Sequence, residues 1–266
     1  MTRIVFDIGG TNLRVARAEG AKLADITIIP SPEQASDGFD ALCAAIDALR
    51  SSKDTPVVGG IAGLVSPDGT VGYSPNLLAW CGFPVGAKLR ARLPSPVFVG
   101  NDADMAGLGE ARLGAGKDAR IVAYVGVGTG VGGTLVVDGF VAPHIQGFEP
   151  GHQIIEASTG ETLEARIGGR MLSRKQGAPP SEIPRAVWDQ ASGDFAAGLW
   201  NVIVHWSPEV IVLGGSLMNE DNGFRVADVR AALERCARLK LPLPELRRAA
   251  LGNASGLYGA AVYPLE

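Results

Sequence analysis

The 266-residue sequence predicts an α/β fold built from two related halves. Each half opens with an apolar, β-branched run, a turn of glycine and threonine, and a second apolar run, at residues 4–16 and again at 121–137. Segments with helical spacing of apolar residues follow in both halves, and strands followed by helices, twice over, indicate an α/β architecture. The repeat is weak in sequence, and its spacing of roughly 115 residues suggests two similar lobes.

Composition and charge exclude several classes of protein. Hydrophobic residues make up 46% of the chain and charged residues 20%, which are ordinary globular values. The net charge of −4 argues against a nucleic-acid partner, because such binders usually carry a basic patch. Three widely spaced cysteines lack metal-ligand spacing and predict reduced thiols in a cytoplasmic protein. No apolar run reaches the ~20 residues of a membrane span, so no membrane partner is expected.

The first half is predicted to begin with three antiparallel strands. Short strand-like runs separated by glycine turns favour an antiparallel start to a sheet, and apolar residues at near-helical spacing predict the first helix. The strand signals lie at residues 4–8, 13–18, 23–30, 57–61 and 97–99, and the helix signals at 38–50, 85–93 and 103–113.

The second half repeats this opening and then adds longer helices. A glycine-rich turn at residues 126–133 separates its first two strands. The strand signals lie at residues 121–125, 134–137, 209–213 and 246–251, and the helix signals at 162–175, 182–205, 224–239 and 255–262.

The opening hairpin is the first candidate ligand site. Gly9 and Gly10 lack Cβ atoms, so their backbone N–H groups can approach an anion, and Thr11 adds a hydroxyl donor. Asp7 stands where a carboxylate can hold Mg²⁺, directly or through water. The alternative is an ordinary hairpin with a polar turn. An acid that ends a buried strand is costly unless it has a function, which favours a phosphate-binding hairpin.

The second glycine turn supports the same interpretation. Gly128, Gly130 and Gly133 match the GxGxxG pattern of dinucleotide sites. That pattern requires a helix after the glycines, and here a strand-like run at residues 134–137 follows. A second phosphate-binding hairpin therefore fits the context better.

Polar residues form two further candidate sites, one at the end of a strand and one in a loop followed by a helix. Asn101 and Asp102 lie at the end of a strand, where ligands collect in α/β folds, and a carboxylate there suits a general base for phosphoryl transfer. The alternative is that Asp102 only caps the helix beginning at residue 103. Glu149, His152 and Glu164 supply donors and acceptors suited to sugar hydroxyls, and the alternative is a solvated polar loop.

Taken in this order, the segments resemble the ROK family of sugar kinases (repressor, open reading frame, kinase) in the actin-like ATPase superfamily. Each motif is moderately specific alone, but the ordered set is specific and spans almost the whole chain. The resemblance is carried by residues 7–11 with Arg14, by 74–77 and 80–84, and by 101–103, 126–133, 149–152, 163–164, 207–215 and 253–261.

The resemblance implies a duplicated actin-like ATPase (ribonuclease H-like) fold with two lobes around a central cleft. The smaller lobe would comprise residues 1–113 plus 255–266, and the larger lobe residues 114–254.

The resemblance also implies transfer of the γ-phosphoryl group of ATP, with Mg²⁺, to a hexose hydroxyl, with glucose as the leading candidate. Asp102 would be the general base. The implied sugar-binding residues are Gly63, Asn76, Asn101, Asp102, Glu149, His152 and Glu164. The implied nucleotide-binding residues are Asp7, which would reach Mg²⁺ through the nucleotide, and Gly9, Gly10, Thr11, Gly128, Thr129, Gly130, Gly214, Gly215 and Ser216.

One span departs from the family pattern. Typical members carry a Cys-x-Cys-Gly-x-x-Gly-Cys zinc segment between the histidine and the following Leu-Glu, whereas residues 153–162 contain no cysteine. We therefore predict no structural zinc. Because Glu164 lies just after this changed segment, its position is the one that the missing zinc segment affects most. Zinc-free relatives include glucokinases that use polyphosphate, so polyphosphate is an alternative donor.

Several alternatives stay open at this point. The acceptor sugar includes fructose, N-acetylmannosamine and N-acetylglucosamine as alternatives to glucose. A catalytically silent sugar-binding protein on the same fold is a further alternative, and so is a homodimeric assembly. A non-sugar ATPase is disfavoured by the pair of Glu149 and His152.

Overall fold

The structure is a computed structural model that describes residues 2–238 and 242–265. The chain groups into two compact units. The first comprises Met1–Leu113, Pro143–Gly147 and Ala254–Glu266, and the second Gly114–Ala142 and Phe148–Asn253. Each unit contains one five-stranded sheet and several helices, which confirms the predicted α/β class. Among the described residues, no helix combines the length and the apolar character that crossing a bilayer requires.

The first unit is built on a mixed sheet. Its strands are β1 (Thr2–Ile8), β2 (Asn12–Glu19), β3 (Lys22–Pro30), β4 (Val57–Ile61) and β5 (Val97–Asn101), and its helices, numbered along the whole chain, are α1 (Ala35–Leu49), α2 (Val85–Arg92), α3 (Asp102–Arg112) and α8 (Ser255–Val262). The strand order is β3-β2-β1-β4-β5. The first three strands form an antiparallel meander, and β4 and β5 join in parallel, as helical crossovers require.

The second unit repeats this topology. Its strands are β6 (Ile121–Val127), β7 (Val131–Val137), β8 (Phe140–Val141), β9 (Ile154–Glu156), β10 (Glu161–Thr162), β11 (Val210–Gly214) and β12 (Glu245–Arg248), and its helices are α4 (Leu163–Ile167), α5 (Gly169–Gln176), α6 (Arg185–Trp206) and α7 (Val226–Cys236). The large sheet has the order β12-β11-β6-β7-β8, and β9 pairs separately with β10. In both units an antiparallel meander is extended by two parallel strands on the side of its first strand, so the predicted duplication is confirmed.

Short 3₁₀ turns connect several elements. They lie at Leu78–Trp80, Pro150–His152, Pro180–Glu182 and Gly252–Ala254. The turn at Pro150–His152 carries part of the candidate site.

Each unit has its own apolar core. Strand β1 is buried on both faces, because Ile4, Phe6 and Ile8 face one cluster while Val5 packs with residues of α8 on the other side. Side chains alternate between the two faces of a strand, so burial of both faces explains the nearly continuous apolar run in the sequence. In the second unit, Phe195 and other apolar residues of α6 lie in the largest cluster.

Helices α3 and α8 are in close backbone contact. A Cβ atom at Gly259 would lie 1.7 Å from the carbonyl oxygen of Met105. Ser255 Oγ donates a hydrogen bond of 2.9 Å to Glu110 Oε1, and both residues are buried. Because the contact is so close, α3 is held firmly in the first unit, and its first residue is Asp102.

The predicted helix at residues 162–175 is wrong in one respect, since it is two helices. Gly168 takes an extended backbone conformation, with φ −65° and ψ 137°, between α4 and α5. The predicted helix at 182–205 begins later, at Arg185, because the extended backbone of Pro184 separates it from the preceding 3₁₀ turn.

Two other predicted segments are shorter in the structure. The glycine turn predicted at residues 126–133 is narrower, because β6 continues to Val127 and β7 starts at Val131. The helix predicted at 224–239 forms over Val226–Cys236, and Leu239 lies outside the described residues.

Candidate functional site

The turn between β1 and β2 presents glycine and threonine at its tip. Gly9 N donates to Asn12 O at 2.9 Å, which closes the hairpin, and Ser31 Oγ donates to Gly9 O at 2.5 Å. Gly10 and Thr11 are exposed. The turn therefore offers a glycine backbone and a hydroxyl to a ligand, which suits an anion.

Asp7 is mostly buried near the end of β1. Its side chain is 14% exposed, and Arg14 on β2 forms an ion pair with it at 3.2 Å. Burial raises the pKa of the Asp7 carboxyl above its ordinary value, and the charge and hydrogen bond of Arg14 oppose that shift. Gly256 of α8 lies on another side of this carboxyl, since a Cβ atom there would be 3.1 Å from Asp7 Cγ. Because the effect of burial on this carboxyl exceeds the opposing effect of Arg14, a further cation beside it would be favourable.

The segment that carries Asn76 lies directly against the first glycine turn. A Cβ atom at Gly10 would lie 2.9 Å from Asn76 Cβ. Gly63 has a φ of +113°, a conformation that favours glycine, and a Cβ atom there would lie 2.5 Å from Tyr73 O. The structure thus places Gly10 against Asn76, and Gly63 against the residues that precede Asn76.

Asn101 caps helix α3. Its Oδ1 accepts hydrogen bonds from the backbone N–H groups of Ala103 at 2.7 Å and Asp104 at 3.0 Å, and its Nδ2 donates to Gly63 O at 2.8 Å. The helix begins at Asp102, so the alternative in which Asp102 is the cap is wrong. Asp102 Oδ1 accepts a hydrogen bond of 3.0 Å from Ala103 N, which directs its carboxylate along the first turn of the helix.

A contact that sequence analysis missed joins the loop after β8 to helix α3. His144 Nε2 lies 3.1 Å from Asp104 Oδ2, two residues after Asp102. His144 belongs to Pro143–Gly147, which groups with the first unit although the chain on both sides of it groups with the second. No sequence signal identifies this pair, because the two residues are 40 positions apart.

The second glycine turn is held by the start of helix α5. Gly128 N donates to Gly130 O at 2.9 Å, which closes the turn as Gly9 closes the first one. Gly128 O accepts from Gly169 N at 2.9 Å, and Thr129 O accepts from Arg170 N at 3.1 Å. Thr129 itself is exposed, so this turn also presents a hydroxyl residue at its tip.

Glu164 lies against this turn. Its Oε2 accepts a hydrogen bond of 2.7 Å from Val131 N, and a Cβ atom at Gly130 would lie 2.5 Å from the same oxygen. Thr162 Oγ1 accepts from Ala165 N at 3.3 Å and caps α4, which carries Glu164 on its first turn. Glycine at position 130 is therefore required for the observed position of the carboxylate.

The segment with Glu149 and His152 packs on strand β7. His152 N donates to Glu149 O at 3.1 Å within the 3₁₀ turn, and His152 is exposed. A Cβ atom at Gly151 would lie 2.2 Å from Val131 O. Val131 thus contacts both the 149–152 segment, through its carbonyl, and Glu164, through its N–H.

The third glycine turn lies beside the second. Gly214 ends β11, and Gly215 has a φ of +88°. A Cβ atom at Gly215 would lie 2.2 Å from Val127 O, and one at Gly128 would lie 3.5 Å from Ser216 Oγ. The close approach to the backbone of Val127 and the positive φ explain why position 215 is glycine, whereas the 3.5 Å separation at Gly128 is an ordinary van der Waals contact.

Each unit therefore gathers its own share of the predicted site residues, whose roles stay predictions. The first unit contains Asp7, Gly9, Gly10, Thr11, Gly63, Asn76, Asn101 and Asp102, and the second contains Gly128, Thr129, Gly130, Glu149, His152, Glu164, Gly214, Gly215 and Ser216. Within residues 2–238 and 242–265, no three or more His, Cys, Asp or Glu side chains form a group able to hold a metal ion. The absence of structural zinc remains a prediction.

Several known proteins similar to this chain are named as sugar kinases. An N-acetyl-D-glucosamine kinase of Escherichia coli O127:H6 (strain E2348/69 / EPEC) is 31% identical over 300 residues, covering 96% of this chain and 97% of the relative. A ROK family glucokinase from Streptomyces griseus, solved in complex with glucose and AMPPNP, is 26% identical with a TM-score of 0.84, covering 98% of each chain. An inorganic polyphosphate/ATP-glucomannokinase from Arthrobacter sp. strain KM is 27% identical with a TM-score of 0.73, covering 98% of this chain and 97% of that one.

These similarities confirm the predicted fold class, which is the actin-like ATPase fold of the ROK kinases. The model of the ROK family matches residues 3–265, which is nearly the whole sequence. The chain belongs to the ROK family.

Proposed function

We propose that this protein is an ATP-dependent hexose kinase with glucose as the first candidate substrate. The observation that carries the proposal is the position of Asp102 as the first residue of α3, directly after the cap Asn101. The two glycine–threonine turns on equivalent hairpins of the two sheets support it, because phosphoryl transfer needs phosphate-binding elements as well as a base.

Asp102 is proposed to act as the general base. Its carboxylate would accept the proton of a sugar hydroxyl as that oxygen attacks the γ-phosphorus. The N-terminal end of a helix favours a negative charge, so a carboxylate at this position suits the role of proton acceptor. A general base of this kind contributes about 10²–10⁴-fold to the rate.

The residues of the turns fit a nucleotide with a bound metal ion. Asp7 is proposed to hold Mg²⁺ through the nucleotide, because its mostly buried carboxylate has only Arg14 as an ion-pair partner within the described residues. When bound, Mg²⁺ would neutralise negative charge on the phosphoryl oxygens. The phosphates would contact Gly9, Gly10, Thr11, Gly128, Thr129 and Gly130, and the adenine side would contact Gly214, Gly215 and Ser216.

The side chains proposed to bind the sugar are polar and can form hydrogen bonds. Asn76, Glu149, His152 and Glu164 offer donors and acceptors for hydroxyl groups, with the backbone near Gly63 beside Asn101. Both glucose and N-acetylglucosamine are supported by similar proteins. N-acetylmannosamine and fructose are further candidates. The three free thiols support a cytoplasmic location, where thiols stay reduced.

A coupled assay of ADP release over a panel of these sugars tests the proposal. We expect one or more sugars to stimulate ATP turnover well above the rate without sugar. A parallel assay replaces ATP with polyphosphate and measures the sugar phosphate, since the similarity to the glucomannokinase favours this second donor. If no sugar is phosphorylated with either donor while calorimetry detects sugar binding, the protein is a silent sugar-binding protein and the kinase proposal fails.

A further inference from the structure

We infer that Gln153 is a positioning residue that sets the distance between His152 and Glu164, with Asn201 as its support. The inference rests on the proposed function, because it assigns to Gln153 and Asn201 an effect on sugar affinity and sugar choice. Neither residue belongs to the set of side chains proposed to contact the sugar. Both are partly buried, so their contacts are shielded from competing water.

The side chain of Gln153 connects the 3₁₀ turn to helix α6. Its Nε2 donates a hydrogen bond of 2.7 Å to Pro150 O, the carbonyl of the residue that follows Glu149. Its Oε1 accepts a hydrogen bond of 2.7 Å from Asn201 Nδ2 on α6. Both ends of the amide are therefore engaged, and Asn201 fixes which way the amide is turned.

The backbone of Gln153 contacts the other part of the predicted sugar set. Gln153 O accepts a hydrogen bond of 3.0 Å from Leu163 N, the first residue of α4. Glu164 is the next residue along that helix. One residue thus holds the segment with Glu149 and His152 through its side chain, and the segment with Glu164 through its carbonyl.

Val131 on strand β7 also contacts both of these segments. Gly151 packs against its carbonyl, and Glu164 Oε2 accepts from its N–H at 2.7 Å. The two segments are therefore tied together twice, once through Val131 and once through Gln153. Loss of the Gln153 side chain keeps the backbone bond to Leu163 but releases Pro150 O from Gln153 and Asn201, which lets the 3₁₀ turn move relative to α4 and α6.

The second glycine turn has contacts that do not involve Gln153. Although Glu164 lies against this turn, Gly128 O and Thr129 O accept hydrogen bonds from Gly169 N and Arg170 N at the start of α5. A change at Gln153 should therefore alter the sugar side of the second unit and leave the predicted phosphate contacts at residues 128–130 in place. This separation distinguishes a positioning role from a general loss of structure.

The test compares Gln153→Met, Asn201→Leu and the double variant with the unchanged protein. Both substitutions keep approximate volume and remove the hydrogen bonds. Gln190→Met is the matched control, because Gln190 is an exposed glutamine on the same helix as Asn201. The measurements are KM and calorimetric Kd for the preferred sugar, KM for ATP, Kd for AMPPNP, and the ratio of kcat/KM between N-acetylglucosamine and glucose.

We expect Gln153→Met to raise the sugar KM and Kd about tenfold and to change the sugar ratio, while the nucleotide constants stay within about twofold. Asn201→Leu should have a smaller effect in the same direction. The double variant should resemble Gln153→Met alone, because Asn201 acts through Gln153. The control should match the unchanged protein in all constants.

The inference would be overturned if the sugar KM and Kd of Gln153→Met stayed within about twofold of those of the unchanged protein. It would also be overturned if sugar affinity and nucleotide affinity fell equally. If Gln153→Met does not fold, as judged by thermal unfolding, Gln153→Glu decides instead. That variant keeps an acceptor for Asn201 but at neutral pH has no donor for Pro150 O. We therefore expect the sugar KM to rise, and an unchanged sugar KM would contradict the inference.

If the unchanged protein binds no sugar, the proposed function and the inference fail together. If the unchanged protein turns over sugar and Gln153→Met has the same sugar KM and Kd, the inference alone is refuted.

Discussion

The side chain of Asn101 donates from Nδ2 to the carbonyl oxygen of Gly63 at 2.8 Å. Its Oδ1 at the same time accepts the N–H groups of Ala103 and Asp104 as the cap of α3. Both ends of the amide are thus held by the protein. Asn101 therefore joins the start of the helix that carries Asp102 to the glycine loop after β4, so it positions the carboxylate whether or not it also contacts a sugar.

Replacing Asn101 should separate its two contacts. Asn101→Ala removes both the cap and the bond to Gly63, so we expect a loss of about 1–2 kcal/mol in the free energy of unfolding. Asn101→Asp keeps an acceptor for the cap but loses the donor to Gly63, so its loss should be smaller. Urea denaturation measures both. Equal stability of Asn101→Ala and the unchanged protein would show that the cap has no energetic role.

Asp102→Asn should abolish most turnover without loss of sugar binding. The amide keeps the size of the side chain but cannot accept the proton, so kcat should fall about 10²-fold or more. Asp104→Asn, two residues later on the same helix, is the control and should keep most of the activity. Steady-state kinetics and calorimetry with the preferred sugar provide the measurements. A fully active Asp102→Asn variant would exclude this residue as the base.

Gly130→Ala should impair sugar use more than stability. The new methyl group would lie 2.5 Å from Glu164 Oε2, and this carboxylate, at the end of a flexible side chain, can move away at little cost to folding. Its displacement should raise the sugar KM about tenfold. Kinetics and thermal unfolding should be measured together. An unchanged sugar KM would indicate that Glu164 does not contact the sugar.

Gly259→Ala should destabilise the first unit strongly. The methyl group would lie 1.7 Å from Met105 O, and backbone atoms of two packed helices cannot move apart as a side chain can. We expect a loss of about 3 kcal/mol or more, or a failure to fold. Gly193→Ala is the control, because no atom lies within 4 Å of a Cβ atom at Gly193, and it should be neutral or stabilising. Comparable urea midpoints for the two variants would contradict the close contact of α3 and α8.

The raised pKa of Asp7 predicts an acid limit on nucleotide use. Burial raises the pKa of the Asp7 carboxyl in the folded protein above its value in the unfolded chain. The ionised carboxylate therefore lowers the free energy of unfolding at pH values above the folded pKa, and this cost is lost progressively as the pH falls through that pKa. Protonation also removes the charge proposed to hold Mg²⁺. We therefore expect kcat/KM for ATP to fall as the pH decreases, and we expect the fall to occur at a pH above the ordinary pKa range of aspartate.

Added Mg²⁺ should oppose this loss, because the ion favours the ionised carboxylate. The check is the pH profile of kcat/KM for ATP at two concentrations of Mg²⁺, with the acid limb moving to lower pH at the higher one. An acid limb that stays in place would assign it to another group.

Much of the fold could be predicted from the sequence, because the signals are local. Strand β1 follows from its apolar run, and the glycine turns of two hairpins and the bounds of α8 also follow from neighbouring residues. The two-helix form of residues 163–176 was missed, because glycine at position 168 is compatible with a continuous helix as well as with a break.

The site required more than local signals. The sequence alone identified the residue types and their order: two turns of glycine and threonine, an acid at the start of a helix, and a glutamate–histidine pair. Only the tertiary structure decided which polar atoms meet, because these contacts join distant parts of the chain. Asn101 and Gly63 are 38 residues apart, Glu164 and Val131 are 33 apart, and Gln153 and Asn201 are 48 apart. The periodicity of apolar residues along the chain indicates which face of a helix or strand is buried. A hydrogen bond between two elements depends instead on how their backbones pack, which the periodicity does not determine.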